Sequence, residues 1–228
     1  MQRCLICLVL LSTVAVGCHD GPLYALKRAN PVFQRQWKQD EALGVTDHRR
    51  REELKKLARS IDGYRVEEQA KWLLHLQEIM EHDPSAEMRH LAVRAAEKIA
   101  GAGALALIEE GLEDENLKVQ MAACEVLGER PESAAMVRLA KTAGSSIDRD
   151  VRQAALRALR RHEGEQVNEA LKLALADSDP AIRYTAIDSL KTVTGKDLGN
   201  RPDVWIAYLN GESVENDEKN GFSISDLF

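Results

Sequence analysis

The chain has 228 residues, 44% of them hydrophobic and 30% charged, and 31 Lys+Arg against 37 Asp+Glu leave a formal charge of −6. This is the composition of a folded protein rather than a disordered one. The acidic balance excludes a non-specific nucleic-acid binder, which needs a strong positive field. Aromatic residues make up only 4%, so the core must be built mainly from Leu, Ala, Ile and Val.

Residues 1–18 read MQRCLICLVLLSTVAVGC. Arg3 precedes an uncharged run of about 12 residues, Leu5 to Val16, which is too short to span a bilayer and has the length of a signal-peptide hydrophobic region. The run ends in Ala15-Val16-Gly17-Cys18, which resembles the lipobox of bacterial lipoproteins. The resemblance implies removal of residues 1–17 by signal peptidase II and acylation of Cys18. Two or more acyl chains would then hold the protein at a membrane. His19 stands where some bacteria use Asp to retain lipoproteins at the inner membrane, so the expected location is the periplasmic face of the cell membrane or the outer membrane. Cys4 and Cys7 have metal or redox spacing but lie within the export segment. Only Cys124 remains in the mature body.

Residues 18–64 are expected to form a lipid-anchored helical cap. Short helices are predicted over Leu23–Ala29 and Pro31–Leu43, and a longer one over Asp47–Ser60 with Thr46 as N-cap. Tyr24, Phe33 and Trp37 are placed to cover the array that follows. That array occupies residues 65–193 and shows a fixed period. MRHLAVRAAEKI, VQMAACEVLGER, VRQAALRALRRH and IRYTAIDSLKTV align without gaps from Met88, Val119, Val151 and Ile182, 31, 32 and 31 residues apart. The first position is apolar throughout and the fifth is always alanine: Ala92, Ala123, Ala155 and Ala186. Apolar positions 1, 5, 6 and 9 make a broad helical face. The invariant alanine marks a close approach of a second helix, and Cys124 occupies a position otherwise held by Val, Leu or Ile.

Each of these helices is preceded by another helical stretch: Glu67–Glu81, Ala104–Glu113, Glu132–Ala143 and Glu165–Ala176. Asp83 and Asp179 are predicted N-caps, with Pro84 and Pro180 in the first turn. The prediction is therefore an all-α solenoid of about four stacked helical hairpins, which bury jointly the faces no single hairpin can. The runs Asp83–Ala92 and Asp179–Ala186 resemble HEAT repeats, of a short type similar to that of phycobilin lyases. Gln120 departs from the Arg of the other units, and Ser145-Ser146 from the Asp of other turns. Residues 194–210 are expected to cap the last unit through Trp205 and Tyr208, and 211–228 to form a flexible acidic tail.

Little in the chain suggests chemistry. The six histidines form no HExxH pair, and no phosphate-cradling or nucleophile-elbow motif is present. His75, His82 and His90 fall near one end of the array, where capping or solvated roles are favoured over a metal. The expectation is a protein with no catalytic residues, no cofactor, no metal and no evident small-molecule substrate. Its function is expected to lie in a surface that holds a protein partner in the envelope. Repeat positions 3, 7 and 10 lie on one face of the second helices: His90, Arg94, Glu97; Met121, Glu125, Gly128; Gln153, Arg157, Arg160; Tyr184, Asp188, Lys191. HEAT resemblance implies that this stripe faces the concave side. Two alternatives remain: a passive spacer or assembly factor acting through its ends and tail, and a bilin-lyase-like enzyme.

Overall fold

A computed structural model describes residues 30–41 and 44–212. The leader, Cys18, Tyr24, the predicted helix Leu23–Ala29 and the tail beyond Glu212 lie outside the described residues, as do the side chains of Phe33 and Trp37. The chain divides into two compact units, 1–53 and 54–228. In the first, α1 spans Pro31–Glu41, its amino end closed by the Asn30 carboxamide accepting from the Val32 amide at 2.9 Å. Helix α2, Asp47–Ser60, runs across the division. Thr46 caps it as predicted, its hydroxyl accepting from the Arg49 amide at 3.2 Å.

The second unit begins with Leu54, Leu57 and, in a short 3₁₀ turn, Ile61, all buried. Among the described residues nine further helices follow: α3 Val66–His82, α4 Ala86–Ala96, α5 Ala102–Gly111, α6 Leu117–Glu129, α7 Ser133–Ser145, α8 Arg149–Leu159, α9 Glu165–Leu175, α10 Pro180–Thr194 and α11 Pro202–Leu209. They pair as the hairpins α3/α4, α5/α6, α7/α8 and α9/α10. The first helices stack in one layer, α3 on α5 and α7 on α9, while the second helices stack in the other, in the order α4, α6, α8, α10. Among the described residues the fold is an all-α solenoid, without strands. No described helix is long and apolar enough to cross a membrane.

The repeat register accounts for the packing. First-position Met88, Val119, Val151 and Ile182 are fully buried, and so are the four alanines at position 5 and the residues at position 9. Cys124 is equally buried, and burial pushes its thiol pKa up to about 12, so it packs as a small apolar side chain.

One residue of the predicted stripe is misplaced. Gly128 is buried at the crossing of α6 and α8, where a β-carbon would stand 3.0 Å from Ala158 Cβ and 3.2 Å from the Ala158 carbonyl oxygen. Its missing side chain permits the approach, and it contributes nothing to the surface. Gly128→Ala gains about 0.5–1 kcal/mol of helix propensity but forces two backbones apart, an overpacking cost of about 1–3 kcal/mol. A net loss is expected, read as a lower thermal midpoint. An unchanged midpoint would mean that α8 can retreat freely.

The turn within each hairpin also corrects the sequence reading. Asp179 and Pro180 behave as predicted: the Asp179 carboxylate accepts from the Ala181 amide at 2.8 Å and Pro180 opens α10. Asp83 does not cap α4, which starts after Ser85. The cap lies three residues before repeat position 1, at Ser85, Asn116, Asp148 and Asp179. Asp83 lies two residues earlier, in register with Asp114, Ser146 and Asp177. The three aspartates at this register fold the turn, accepting from the amides of Ser85, Asn116 and Asp179 at 2.8–2.9 Å. A shared Asp-Pro dipeptide had aligned two residues with different work.

Beyond α10, Gly195 adopts the left-handed conformation that ends the helix. Helix α11 then packs on α9 and α10, occupying the place of a fifth first-layer helix. Trp205 is fully buried and its indole N–H donates to the Gly199 carbonyl at 2.9 Å. Tyr208 meets Trp205 edge-on at 6.1 Å, and the Lys196 ammonium lies 4.4 Å from the Tyr208 ring centre.

Candidate functional site

Two surfaces of the array carry side chains that the packing does not consume. The first is the stripe on the second-layer helices. His90 and Arg94 lie on α4, with Glu97 capping its end; Met121 and Glu125 on α6; Gln153 and Arg157 on α8, with Arg160 capping its end; Tyr184, Asp188 and Lys191 on α10. The stack brings several together across units. Arg94 pairs with Glu125, and Arg160 with Asp188 at 3.5 Å. Lys191 turns instead to Asp197 at 2.7 Å, and Asn200 accepts from it at 3.3 Å. Arg157 donates to Gln153 on its own helix at 3.1 Å and is exposed, and Tyr184 is 64% exposed. Glu97 ends α4, where its backbone carbonyl accepts from Arg130 at 3.0 Å. His90 is half-buried, and burial lowers its pKa from the ordinary value. The stripe is thus partly neutralised from within, and Arg157 and Tyr184 are its most available members.

The histidines at that end of the array do not converge. His75 lies edge-on to Trp72 at 5.8 Å, while His82 is exposed beside Glu78 and Glu81 at 4.0 Å. Among the described residues no group of three or more His, Cys, Asp or Glu is placed to hold a metal.

The second surface runs along the turns, where repeat position 2 builds a polar ladder. The Arg89 guanidinium holds the Asp114 carboxylate of the next unit in a fork, Nε to Oδ2 at 2.7 Å and Nη2 to Oδ1 at 3.0 Å, and donates to the Asp83 carbonyl of its own turn at 2.9 Å. Their side chains are only 8% and 6% exposed. The hydrogen bond to Asp114 outweighs burial and holds the Arg89 pKa above its ordinary value. Arg152 repeats the arrangement two rungs on: it pairs with Asp177 and donates to the Ala143 carbonyl at 3.4 Å. Arg183, in the last unit, keeps the carbonyls of Asp177 and Ser178 at 2.7 and 3.0 Å.

Between units two and three the ladder is interrupted, and the two sequence departures account for each other. Gln120 donates to the Asp114 carbonyl of its own turn at 2.5 Å, as the arginines do, but does not reach forward. The turn it faces offers Ser146 in place of an aspartate. Arginine and its acceptor are lost together, so no buried carboxylate is stranded. What remains is a cleft of about 510 Å³. Leu112 and Leu117 line it from one unit and Ile147, wholly exposed, from the other. This cleft was not predicted, although Gln120 and Ser145-Ser146 were its signal.

Residues 73–160 match the family model for HEAT repeats. A comparison with curated proteins gives no match. The matched segment runs from within α3 to the end of α8, and the structure continues the same two-layer stack through α9 and α10. HEAT repeats commonly mediate protein interactions or scaffolding.

Proposed function

We propose that this HEAT-repeat array is a non-enzymatic scaffold lipoprotein of the cell envelope, anchored through acylated Cys18 and holding a protein partner on its repeat surface. The observation that carries the binding role is the register of the second-layer helices. They offer exposed side chains at a fixed spacing, and a rigid, evenly spaced surface recognises a folded partner with little ordering cost. The envelope location is supported by the lipobox-like run ending at Cys18, within the wider division into leader 1–17, anchored cap 18–64, array 65–193, C-terminal cap 194–210 and acidic tail 211–228.

Two measurements test the two parts. Intact mass and membrane fractionation are compared for the native chain and Cys18→Ser. The expected result is a native mature chain beginning at Cys18 with acyl mass, and a variant released to the soluble fraction. An uncleaved, unacylated soluble native chain would remove the anchor from the reading. For the surface, Arg157→Glu is the sharpest probe, because Arg94→Glu and Arg160→Glu also break internal ion pairs. In-cell crosslinks through the stripe should fall with Arg157→Glu and with Tyr184→Ala. Crosslinks unchanged in both, and in the Arg94→Glu/Arg160→Glu pair, would retire the stripe. Loss on deletion of 211–228 instead would favour contacts made through the tail.

A further inference from the structure

We propose that the cleft at the interrupted rung, between units two and three, receives an arginine side chain flanked by aliphatic residues from a partner protein. Elsewhere this junction is occupied by the chain's own guanidinium: Arg89 crosses from unit one to two and Arg152 from unit three to four. Here position 2 is Gln120 and no guanidinium crosses to the turn; Arg138 of unit three reaches Glu109 and Glu113 of unit two at 3.4 and 3.8 Å without lining the cleft, and the volume stands open.

The lining chooses the occupant. Three of its polar side chains have already committed a donor to the backbone. The Thr142 hydroxyl donates to the Arg138 carbonyl at 2.9 Å, the Ser145 hydroxyl to the Lys141 carbonyl at 2.8 Å, and the Gln120 amide to the Asp114 carbonyl at 2.5 Å. Their acceptor lone pairs remain. Two carboxylates border the same space, Glu113 and Asp148, and no lysine or arginine lines it. Glu113 is largely exposed, its nearest cation Arg138 at 3.8 Å, while one Asp148 oxygen caps α8. An acceptor-rich, doubly acidic lining calls for a donor-rich cation, and guanidinium carries five N–H donors in a planar fork. Leu117 and Ile147 supply apolar contact for the neighbours of that arginine. An acidic segment would be repelled by these carboxylates, and a purely apolar one would take them out of water with nothing in its place.

The inference rests on the reading of the array as protein-binding, but concerns a different face from the stripe. Its test uses the full chain, ¹⁵N-labelled, titrated with the peptide acetyl-Ala-Leu-Arg-Leu-Ala-amide and with the same peptide carrying citrulline, the neutral shape analogue of arginine. Amide shifts are expected at Leu117, Gln120 and residues 145–148, with binding about tenfold or more weaker for citrulline, the loss expected when a charge-assisted fork becomes neutral. The double variant Gln120→Arg/Ser146→Asp restores the ladder within the chain. It should melt at a higher temperature and lose the peptide. A milder pair, Glu113→Gln with Ile147→Ser, alters only exposed side chains and should weaken the arginine peptide about tenfold. Absence of shifts at these amides, equal binding of the citrulline peptide, or undiminished binding to either double variant overturns the proposal. Peptide binding at the cleft with crosslinks unmoved by stripe variants would retire the stripe alone. The reverse pattern would retire the cleft alone.

Discussion

Arg89→Ala is expected to destabilise the first half of the array by about 3–5 kcal/mol, the cost of leaving a buried charge without its partner. The Asp114 carboxylate is 6% exposed and receives two of its hydrogen bonds from Arg89. Without the arginine it keeps the Asn116 amide at 2.8 Å and loses its charge partner. The Asp83 carbonyl loses a donor as well. The comparison variants give the prediction its direction. Arg152→Ala breaks a pair whose side chains are 21% and 18% exposed, so water can replace part of what is lost, and its cost should be smaller. Gln120→Ala removes a single bond to a carbonyl and should cost about 1 kcal/mol. Because a repeat array need not unfold in one step, hydrogen exchange at α3–α6 is the measurement to set beside urea unfolding. A loss below about 1 kcal/mol for Arg89→Ala, or a larger one for Gln120→Ala, would mean that the ladder does not hold the units together.

Trp205→Ala is expected to cost about 3–5 kcal/mol and to act at the other end. Among the described residues the indole is the largest fully buried side chain, and α11 is the last helix described on the stack. Removing it uncovers α9, whose Val167, Leu171 and Leu175 are buried with it. Amide protection should fall in α9, α10 and α11, while α3–α6 keep theirs, because each unit touches only its neighbours. Trp205→Phe separates packing from hydrogen bonding. It retains an aromatic ring but strands the Gly199 carbonyl, a smaller loss of about 1 kcal/mol or somewhat more. Native-state proteolysis in 195–201 reads the same opening. If Trp205→Ala left α9 and α10 fully protected, α11 would be an appendage and not a cap.

The interrupted rung bears on how the array can bind and still hold together. A buried arginine–aspartate pair is stable only when complete, so losing one member is selected against unless the other goes too. At Gln120 and Ser146 both are gone. The junction is then held by α6 against α8, close-packed at Gly128 and Ala158, and by the His162 ring of unit three, 3.2 Å from the Leu127 carbonyl of unit two. Arg130 makes the corresponding contact one unit earlier, its guanidinium reaching back to the carbonyls of Glu97 and Ile99 at 3.0 and 2.5 Å. With the second-layer seam so tied, the turn edge can stand open without loosening the stack.

The repeat was legible because its physics is periodic. An apolar face at helical spacing, repeated every 31 or 32 residues with one invariant alanine, admits few structures besides stacked hairpins, and Met88, Val119, Val151 and Ile182 are buried where that register puts them. Thr46 and Asp179 were readable as caps because a cap bonds amides two or three residues away, within the reach of sequence. The same local reasoning missed Gly128, which looks like any variable surface position until α8 is laid across it. It also misread Asp83, whose role follows from register and not from the proline beside it. Sequence by itself thus determined the fold class, the number of hairpins and the residues of their core, since these depend on local period and composition. Tertiary structure alone decided that Arg89 grips Asp114, that Arg94 and Arg160 are answered by Glu125 and Asp188, and that Gln120 and Ser146 face one open cleft. Those partners stand 25 to 31 residues apart, and only the stacking of one unit on the next brings them within a hydrogen bond's length.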